Sequence, residues 1–274
     1  MPVTIAVTRE RRPGETRVAA TPDSVKKLIA MKARVVVETG AGLFASVTDQ
    51  AYTEAGAEIA PSAEAAIAQA DVLFKVRRPA PEEVAALKPG AIVAGLLDPW
   101  RERELLDALA AKGASAFAME FVPRITRAQV MDALSSQANL AGYRAVIDAA
   151  AVYGRGFPMM MTAAGTVAAA KVFVMGAGVA GLQAIATARR LGAVVTATDV
   201  RPAAKEQVES LGAKFVAVED EEFKAAETAG GYAKEMSDAY KAKQAELVSG
   251  HVTKQDVVIT TALIPGRPAP RLLT

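Results

Sequence analysis

Short apolar runs alternate with helical patterns along the first half of the chain. "VTIAVT" (3–8) predicts a strand, and "TPDSVKKLIAMKA" predicts a helix with Thr21 as its cap and Pro22 in its first turn. "RVVVETGAG" reads as a strand ending in a turn, and "TDQAYTEAGAEI" as a short helix. "VLFKV" (72–76), "AIVAGL" (91–96) and "SAFAME" (115–120) predict further strands. Between them lie the helices "PEEVAAL" and "RERELLDALAAKG", the second stopping at Gly113. Repeated strand–helix–strand units predict a parallel sheet with helices on both faces. From Thr126 to Tyr153 the pattern becomes one long helical stretch, which predicts a connector. Beyond it, strands are expected at 171–175, 194–199, 214–218 and 256–261. This divides the chain into an N-terminal α/β domain, 1–125, and a second domain, 126–274, that includes the connecting helix.

Two features of the second half change the picture. The last two strands are separated by a polar segment of some 35 residues centred on "AGGYAK", far above the usual connection of about 2–6 residues. It reads either as a functional loop closing over a site or as a tolerated surface insertion. A full dinucleotide-binding sheet has about six strands, whereas the second domain stops after four and is expected to be incomplete at its C-terminus.

Composition excludes several chemistries. The 274 residues hold no cysteine and one histidine, His251, so disulfides, thiolate catalysis and sulfur- or imidazole-built metal centres are not expected. Lys and Arg exceed Asp and Glu by two, which gives no basic field for nucleic acid. The N-terminus lacks the uninterrupted apolar core of a signal peptide. Val172–Ala188 is uncharged and follows an apolar stretch, but Lys171 would sit mid-span, where a charge costs on the order of 3 kcal/mol. A strand–turn–helix is the better reading, and no direct membrane insertion is expected.

The candidate chemistry lies in that stretch. Gly176-x-Gly178-x-x-Gly181 follows the strand "KVFVM" and opens a helix. The first glycine allows the tight turn, the second lets the backbone approach a pyrophosphate, and the third lets helix and strand pack closely. The helix N-terminus offers free N–H groups to the phosphates. Asp199 ends the next strand, 18 residues after Gly181, where a carboxylate can accept the ribose hydroxyls and repel a 2′-phosphate. NAD is therefore favoured over NADP, with Arg201 close enough to soften the preference. The fold expected is α/β, two Rossmann-like doubly wound parallel-sheet domains joined by a long helix. Hydride chemistry on a hydroxy or amino acid needs an acid/base group, and few are on offer. His251 reads as a surface residue at a helix end, and Lys75 as a solvated strand end unless it is buried.

The segments "ERRPGETRVA", "PRITRAQVMDALSSQANLAGYRAVIDAA", "FPMMMTAAGTV", "GAGVAGLQAIATARRLGAVVTATDVR", "KEQVESLGAKF", "ETAGGYAKEM" and "ITTALIPGRPAP" run across essentially the whole chain. In these segments the sequence resembles the NAD(H)-binding domain I of proton-translocating nicotinamide nucleotide transhydrogenase, a family related to alanine dehydrogenase. The resemblance implies direct hydride transfer from NADH held here to NADP+ on a partner domain, coupled to proton passage through a membrane domain. It also implies a homodimer, cytoplasmic and peripheral at the inner face of the cell membrane through its partner subunits. Two nicotinamides exchange hydride without an acid or base, which matches the missing histidines.

Carried over by motif, Arg124, Gln129, Val130, Met131, Asp132 and Ser135 would surround the nicotinamide end. The residues themselves point partly the same way: Gln129, Asp132 and Ser135/Ser136 recur at helical i, i+3 and i+7 spacings, a polar stripe on an otherwise apolar helix, with a solvated face as the alternative. Arg124 and Asp132 would pair to orient the ring, and Gln129 would reach toward the partner's nucleotide, so Arg124, Gln129 and Asp132 are the candidate catalytic residues. Val179, Asp199-Val200-Arg201 and Leu263 lie at strand carboxyl ends, with Gly231 and Tyr232 in a closing loop and Gln244 behind it. Two alternatives stay open: an alanine-dehydrogenase-like enzyme, and a nucleotide-binding module without turnover. The loop "GLLDPW" carries Asp98 and Trp100 where the resemblance places a histidine in the dehydrogenase, which weighs against the first.

Overall fold

The computed structural model describes residues 2–123, 125–226, 236–263 and 268–273. The chain forms two compact units, Met1–Ala133 and Leu134–Thr274. The first is built on a six-stranded, wholly parallel sheet of β1 (Thr4–Val7), β2 (Arg34–Glu38), β3 (Glu58–Ala60), β4 (Val72–Arg77), β5 (Ile92–Leu96) and β6 (Ser115–Ala118). The order is β3-β2-β1-β4-β5-β6, so the winding reverses between β1 and β4. Strand alternation sorts the core onto two faces. Val7, Val35 and Val37 face α1 (Pro22–Ala30) and α2 (Asp49–Glu54) with Val25 and Tyr52. Ala6, Val36, Leu73 and Val93 face the other way, onto α3 (Ala63–Ile67), α4 (Pro81–Ala86) and α5 (Arg103–Ala111). Thr21 caps α1 by accepting from Ser24 N–H at 3.3 Å, and Gly113, at φ 65°, follows the end of α5.

The long helical stretch is shorter than the pattern predicts. Thr126–Met131 forms a 3₁₀ segment, Asp132 leaves helical geometry at ψ 86°, and α6 runs from Ala133 to Val152. Asp competes for backbone groups and suits such a boundary better than a helix interior. Gln129 and Asp132 therefore precede the α-helix, and the polar stripe expected along one helical face is not continuous.

The second unit carries an antiparallel pair, β7 (Met160–Thr162) with β8 (Gly165–Val167), that the apolar run concealed. Its main sheet is parallel, with β9 (Lys171–Met175), β10 (Val194–Thr198), β11 (Lys214–Phe215) and β12 (Val257–Thr260) in the order β11-β10-β9-β12. Val172, Val174, Val195, Ala197 and Ile259 pack with Ala184 and Ile185 of α7 (Val179–Arg190) and Val208 of α8 (Ala204–Ser210). The other face buries Phe173 and Met175 against Val248.

The described part of the polar segment before β12 forms α9 (Glu221–Lys224) and α10 (Asp238–Val252), while its centre, 227–235, on which the loop reading falls, lies outside the described residues. β11 ends early because α10 supplies bonds that a longer strand would need. Gln244 Oε1 accepts from Val218 N–H at 2.9 Å, and Tyr240 Oη donates to Val218 O at 3.0 Å. Finally, α6 crosses the first turn of α7 at Gly142, where a Cβ would stand inside van der Waals contact of the Ala180 carbonyl.

Candidate functional site

The three glycines do three separable things. Gly176 has φ +101°, a conformation that only glycine adopts without strain, and a Cβ there would come within 2.8 Å of Thr261 Oγ1. Gly181 is packed so closely that a Cβ would overlap the Gly176 carbonyl, which fixes helix against turn. At Gly178 an added Cβ would meet nothing within 4 Å. That glycine answers no packing demand inside the protein, and the space beside it suits the close approach of a pyrophosphate.

Gly178 is also the N-cap of α7 and makes no side-chain capping bond, whereas Thr21, Thr48 and Ser62 cap α1, α2 and α3 with their hydroxyls. The first N–H groups of α7, with the positive end of its dipole, therefore face the same space as the bare Cα. Both elements fit an anionic pyrophosphate.

Three bonds from two strand ends, those of β10 and β12, hold the turn in place. Gly176 N–H donates to Thr198 O at 2.8 Å, and Thr261 Oγ1 donates to Gly176 O at 2.8 Å. Ala177 N–H donates to Asp199 Oδ2 at 2.7 Å. Asp199 thus ties β10 to the glycine turn as well as ending the strand. Its other partners belong to Arg201: N–H at 2.8 Å and Nε at 2.9 Å to Oδ1, and Nη2 at 3.0 Å to Oδ2. Burial pushes the Asp199 carboxyl up, but the Arg201 guanidinium and the two backbone N–H groups outweigh it and hold the group below its usual range.

The structure brings Gly176, Gly178, Val179, Gly181, Asp199, Val200 and Arg201 together at the carboxyl ends of β9 and β10, where ligands bind in doubly wound sheets. Val179, Val200 and Leu263 are exposed. The Gln244 amide spans Val218 N–H and Thr198 Oγ1, the latter at 3.1 Å, so it supports the end of β10. Sequence reasoning missed Thr261 and Thr198, whose bonds to the turn are non-local. In the first unit Gln129, Val130 and Met131 are exposed on the 3₁₀ segment and Asp132 is half-buried after it; Ser135, half-buried on α6, belongs to the second unit. Arg124, Gly231 and Tyr232 lie outside the described residues.

Two chemistry-bearing side chains are corrected. Lys75 is not a solvated strand end: its side chain is 1% exposed, and Nζ donates to Glu83 Oε1, Thr8 Oγ1 and Arg9 O at 3.0–3.1 Å. His251 is half-buried rather than a surface residue. It bonds Thr196 Oγ1 at 2.8 Å, packs edge-on to Phe173, and burial pushes its pKa down. This places it on a sheet face away from the glycine turn. Among the described residues no group of three or more Asp, Glu or His side chains is arranged to hold a metal ion. Nor is any described helix long and apolar enough to cross a membrane.

Residues 6–141 match the family model "Alanine dehydrogenase/PNT, N-terminal domain", and residues 145–274 match its C-terminal counterpart. The chain belongs to the alanine dehydrogenase/PNT family. Within that family it is 60% identical to an NAD(P) transhydrogenase alpha subunit of Rhodospirillum rubrum, over 98% of this chain and 72% of that protein. It is 31% identical to alanine dehydrogenase of Bacillus subtilis, over 98% of this chain and 65% of that protein. Among solved structures, transhydrogenase from Sinorhizobium meliloti superposes with a TM-score of 0.89 at 58% identity, covering 98% of this chain and 72% of that one. The two-sheet α/β plan expected from the sequence is the plan these family members share.

Proposed function

We propose that this chain is the NAD(H)-binding component of a NAD(P) transhydrogenase, handing hydride directly to NADP+ on a partner domain, in an assembly whose membrane domain passes protons. The observation that carries the reading is the open Cα face of Gly178 at the uncapped start of α7, beside Asp199 at the end of β10. The higher identity to the R. rubrum transhydrogenase subunit than to the B. subtilis alanine dehydrogenase favours this member of the family's activities.

Bound NADH supplies the hydride; the chain's own residues hold and orient. The α7 N-terminus neutralises the pyrophosphate, and Asp199 receives the adenosine ribose. Arg124, Gln129, Asp132 and Ser135 position the nicotinamide, with Val130 and Met131 exposed beside them, and Gly231 and Tyr232 close over the nucleotide. No proton transfer is required of the chain, in keeping with the commitment of Lys75 to Glu83 and of His251 to Thr196. A homodimer, cytoplasmic and peripheral to the membrane through its partner subunits, belongs to the same proposal.

The test is to mix NADH with an NADP+ analogue, with and without the NADP-binding component, and separately with pyruvate and ammonium. Turnover only with the component present is expected. Oxidation of NADH by pyruvate and ammonium alone would make the chain an amino-acid dehydrogenase, and binding without turnover in every mixture would make it a nucleotide-binding module.

A further inference from the structure

The carboxylate assigned to the ribose is already full. A carboxylate offers about four lone-pair positions. Asp199 Oδ1 spends two on Arg201 N–H and Nε, and Oδ2 spends two on Ala177 N–H and Arg201 Nη2. Two of the four bonds come from the backbone: the Ala177 N–H is fixed by the glycine turn and the Arg201 N–H by the chain just after β10. The other two come from the Arg201 side chain, which is 32% exposed against 8% for Asp199 and so has solvent to move into.

We propose that Arg201 is a specificity-determining residue that competes with the ribose for Asp199 and, once displaced, receives a 2′-phosphate. The inference rests on the reading of this unit as an NAD(H) site and goes beyond it. For NADH to reach the carboxylate, its ribose hydroxyls must take the two lone-pair positions now held by Nε and Nη2. The backbone donors stay in place, so the carboxylate keeps its position while its partner changes.

The cost of that exchange falls on NADH, and the displaced cation is then left beside the 2′ position. A dinucleotide bearing a 2′-phosphate would meet the Asp199 charge with an arginine next to it, a combination that narrows discrimination. The fork matters as well as the charge. Guanidinium engages two carboxylate oxygens, or two phosphate oxygens, at once, which an ammonium cannot do.

The test measures Kd for NADH and for NADPH by calorimetry on the full chain and on Arg201→Ala and Arg201→Lys. Both variants keep the backbone N–H of residue 201 and, with that of Ala177, the two backbone bonds that place Asp199. In Arg201→Ala, NADH is expected to bind about two- to fivefold more tightly, the scale of losing one partly exposed ion pair. NADPH is expected to bind at least about tenfold more weakly, the scale of losing charged hydrogen bonds to a phosphate. Arg201→Lys should lie between the two proteins for both ligands. A role in holding the fold would move both affinities in the same direction, and that result, or no change in either, overturns the proposal. If the unsubstituted chain binds neither nucleotide, the reading of the unit itself fails, which is a different outcome from binding without opposed shifts.

Discussion

Lys75 Nζ stands 3.1 Å from Glu83 Oε1 with both side chains 1% exposed, and Glu10 Oε1 is 3.6 Å from the same ammonium. Thr8, Glu10 and Lys75 lie at or just beyond the carboxyl ends of β1 and β4, where the order of the first sheet reverses. The crevice in which such sheets bind ligands is thus occupied by the protein's own ion pair. Glu83 Oε2 also accepts Ala80 N–H at 2.8 Å, so the carboxylate starts α4 as well as compensating the lysine.

Glu83→Gln should therefore destabilise the fold by about 3–5 kcal/mol, because it leaves a buried ammonium with half its compensation. The double variant Glu83→Gln/Lys75→Met should cost less than the sum of the singles, since the orphaned charge is gone. Urea unfolding of the four proteins checks this. NADH affinity of the folded Glu83→Gln fraction should stay within about twofold, because the bonds described at the glycine turn, from Thr198, Asp199 and Thr261, come from the second unit.

The glycines separate folding from binding. Gly178→Ala places a methyl in open space at φ −74°, so its stability should change by no more than about 0.5 kcal/mol. Its NADH affinity should nevertheless fall by about tenfold or more, because the methyl occupies the approach of the pyrophosphate. Gly181→Ala drives a methyl into the Gly176 carbonyl and should lose stability and binding together. Thermal melts and calorimetry on both variants decide it; equal melting-temperature losses would contradict the division of labour.

Glu15 gives a pH signature. The hydrogen-bonding Arg17 guanidinium, joined by Arg77, outweighs burial and holds the carboxyl down to about 2 against an ordinary 4.5. Its folded-state pKa lies below the unfolded one, so the stabilisation is complete above 4.5 and is lost as pH falls from there toward about 2. The melting-temperature gap between the unsubstituted chain and Glu15→Gln should be full at neutral pH and close across that window. A gap independent of pH would show that the ion pairs contribute nothing to the titration.

Gln129→Asn and Asp132→Asn should slow hydride transfer in the reconstituted complex by roughly a hundredfold while changing NADH affinity little. Positioning acts on near-attack geometry, where an error of about 1 Å has that consequence. Single-turnover rates are the measurement, and unchanged rates would return these residues to an ordinary polar surface.

What the sequence made readable was local. Thr21, Gly113, the glycine spacing and Asp199 each act through residues a few positions away or through a fixed strand–turn–helix register, so a linear pattern carries them. What it concealed was of two kinds. Some elements have no period to see: β3 is three residues long, and β7 and β8 are exposed throughout. Other features are set by distant partners. Lys75 is held by Thr8, 67 residues away, Thr261 reaches back 85 residues to Gly176, and Gln244 and Tyr240 take over the bonds a longer β11 would have made at Val218. The stripe of Gln129, Asp132 and Ser135/Ser136 presupposed unbroken α-helical geometry, and the 3₁₀ segment Thr126–Met131 together with the ψ angle at Asp132 interrupts it.

The contact between Gly142 and Ala180 turns α6 into a ruler. Sliding α6 along α7 would bring a side chain to a point that admits no methyl, so the helix has one permitted register there. Seven residues separate Gly142 from Ser135, roughly 10 Å of helix at about 1.5 Å per residue. Substitutions along those two turns leave that length unchanged. A single inserted residue would lengthen it by about 1.5 Å and swing Ser135 by roughly 100° around the axis. The segment should therefore tolerate changes of composition far better than changes of length, as a gauge tolerates repainting but not recutting.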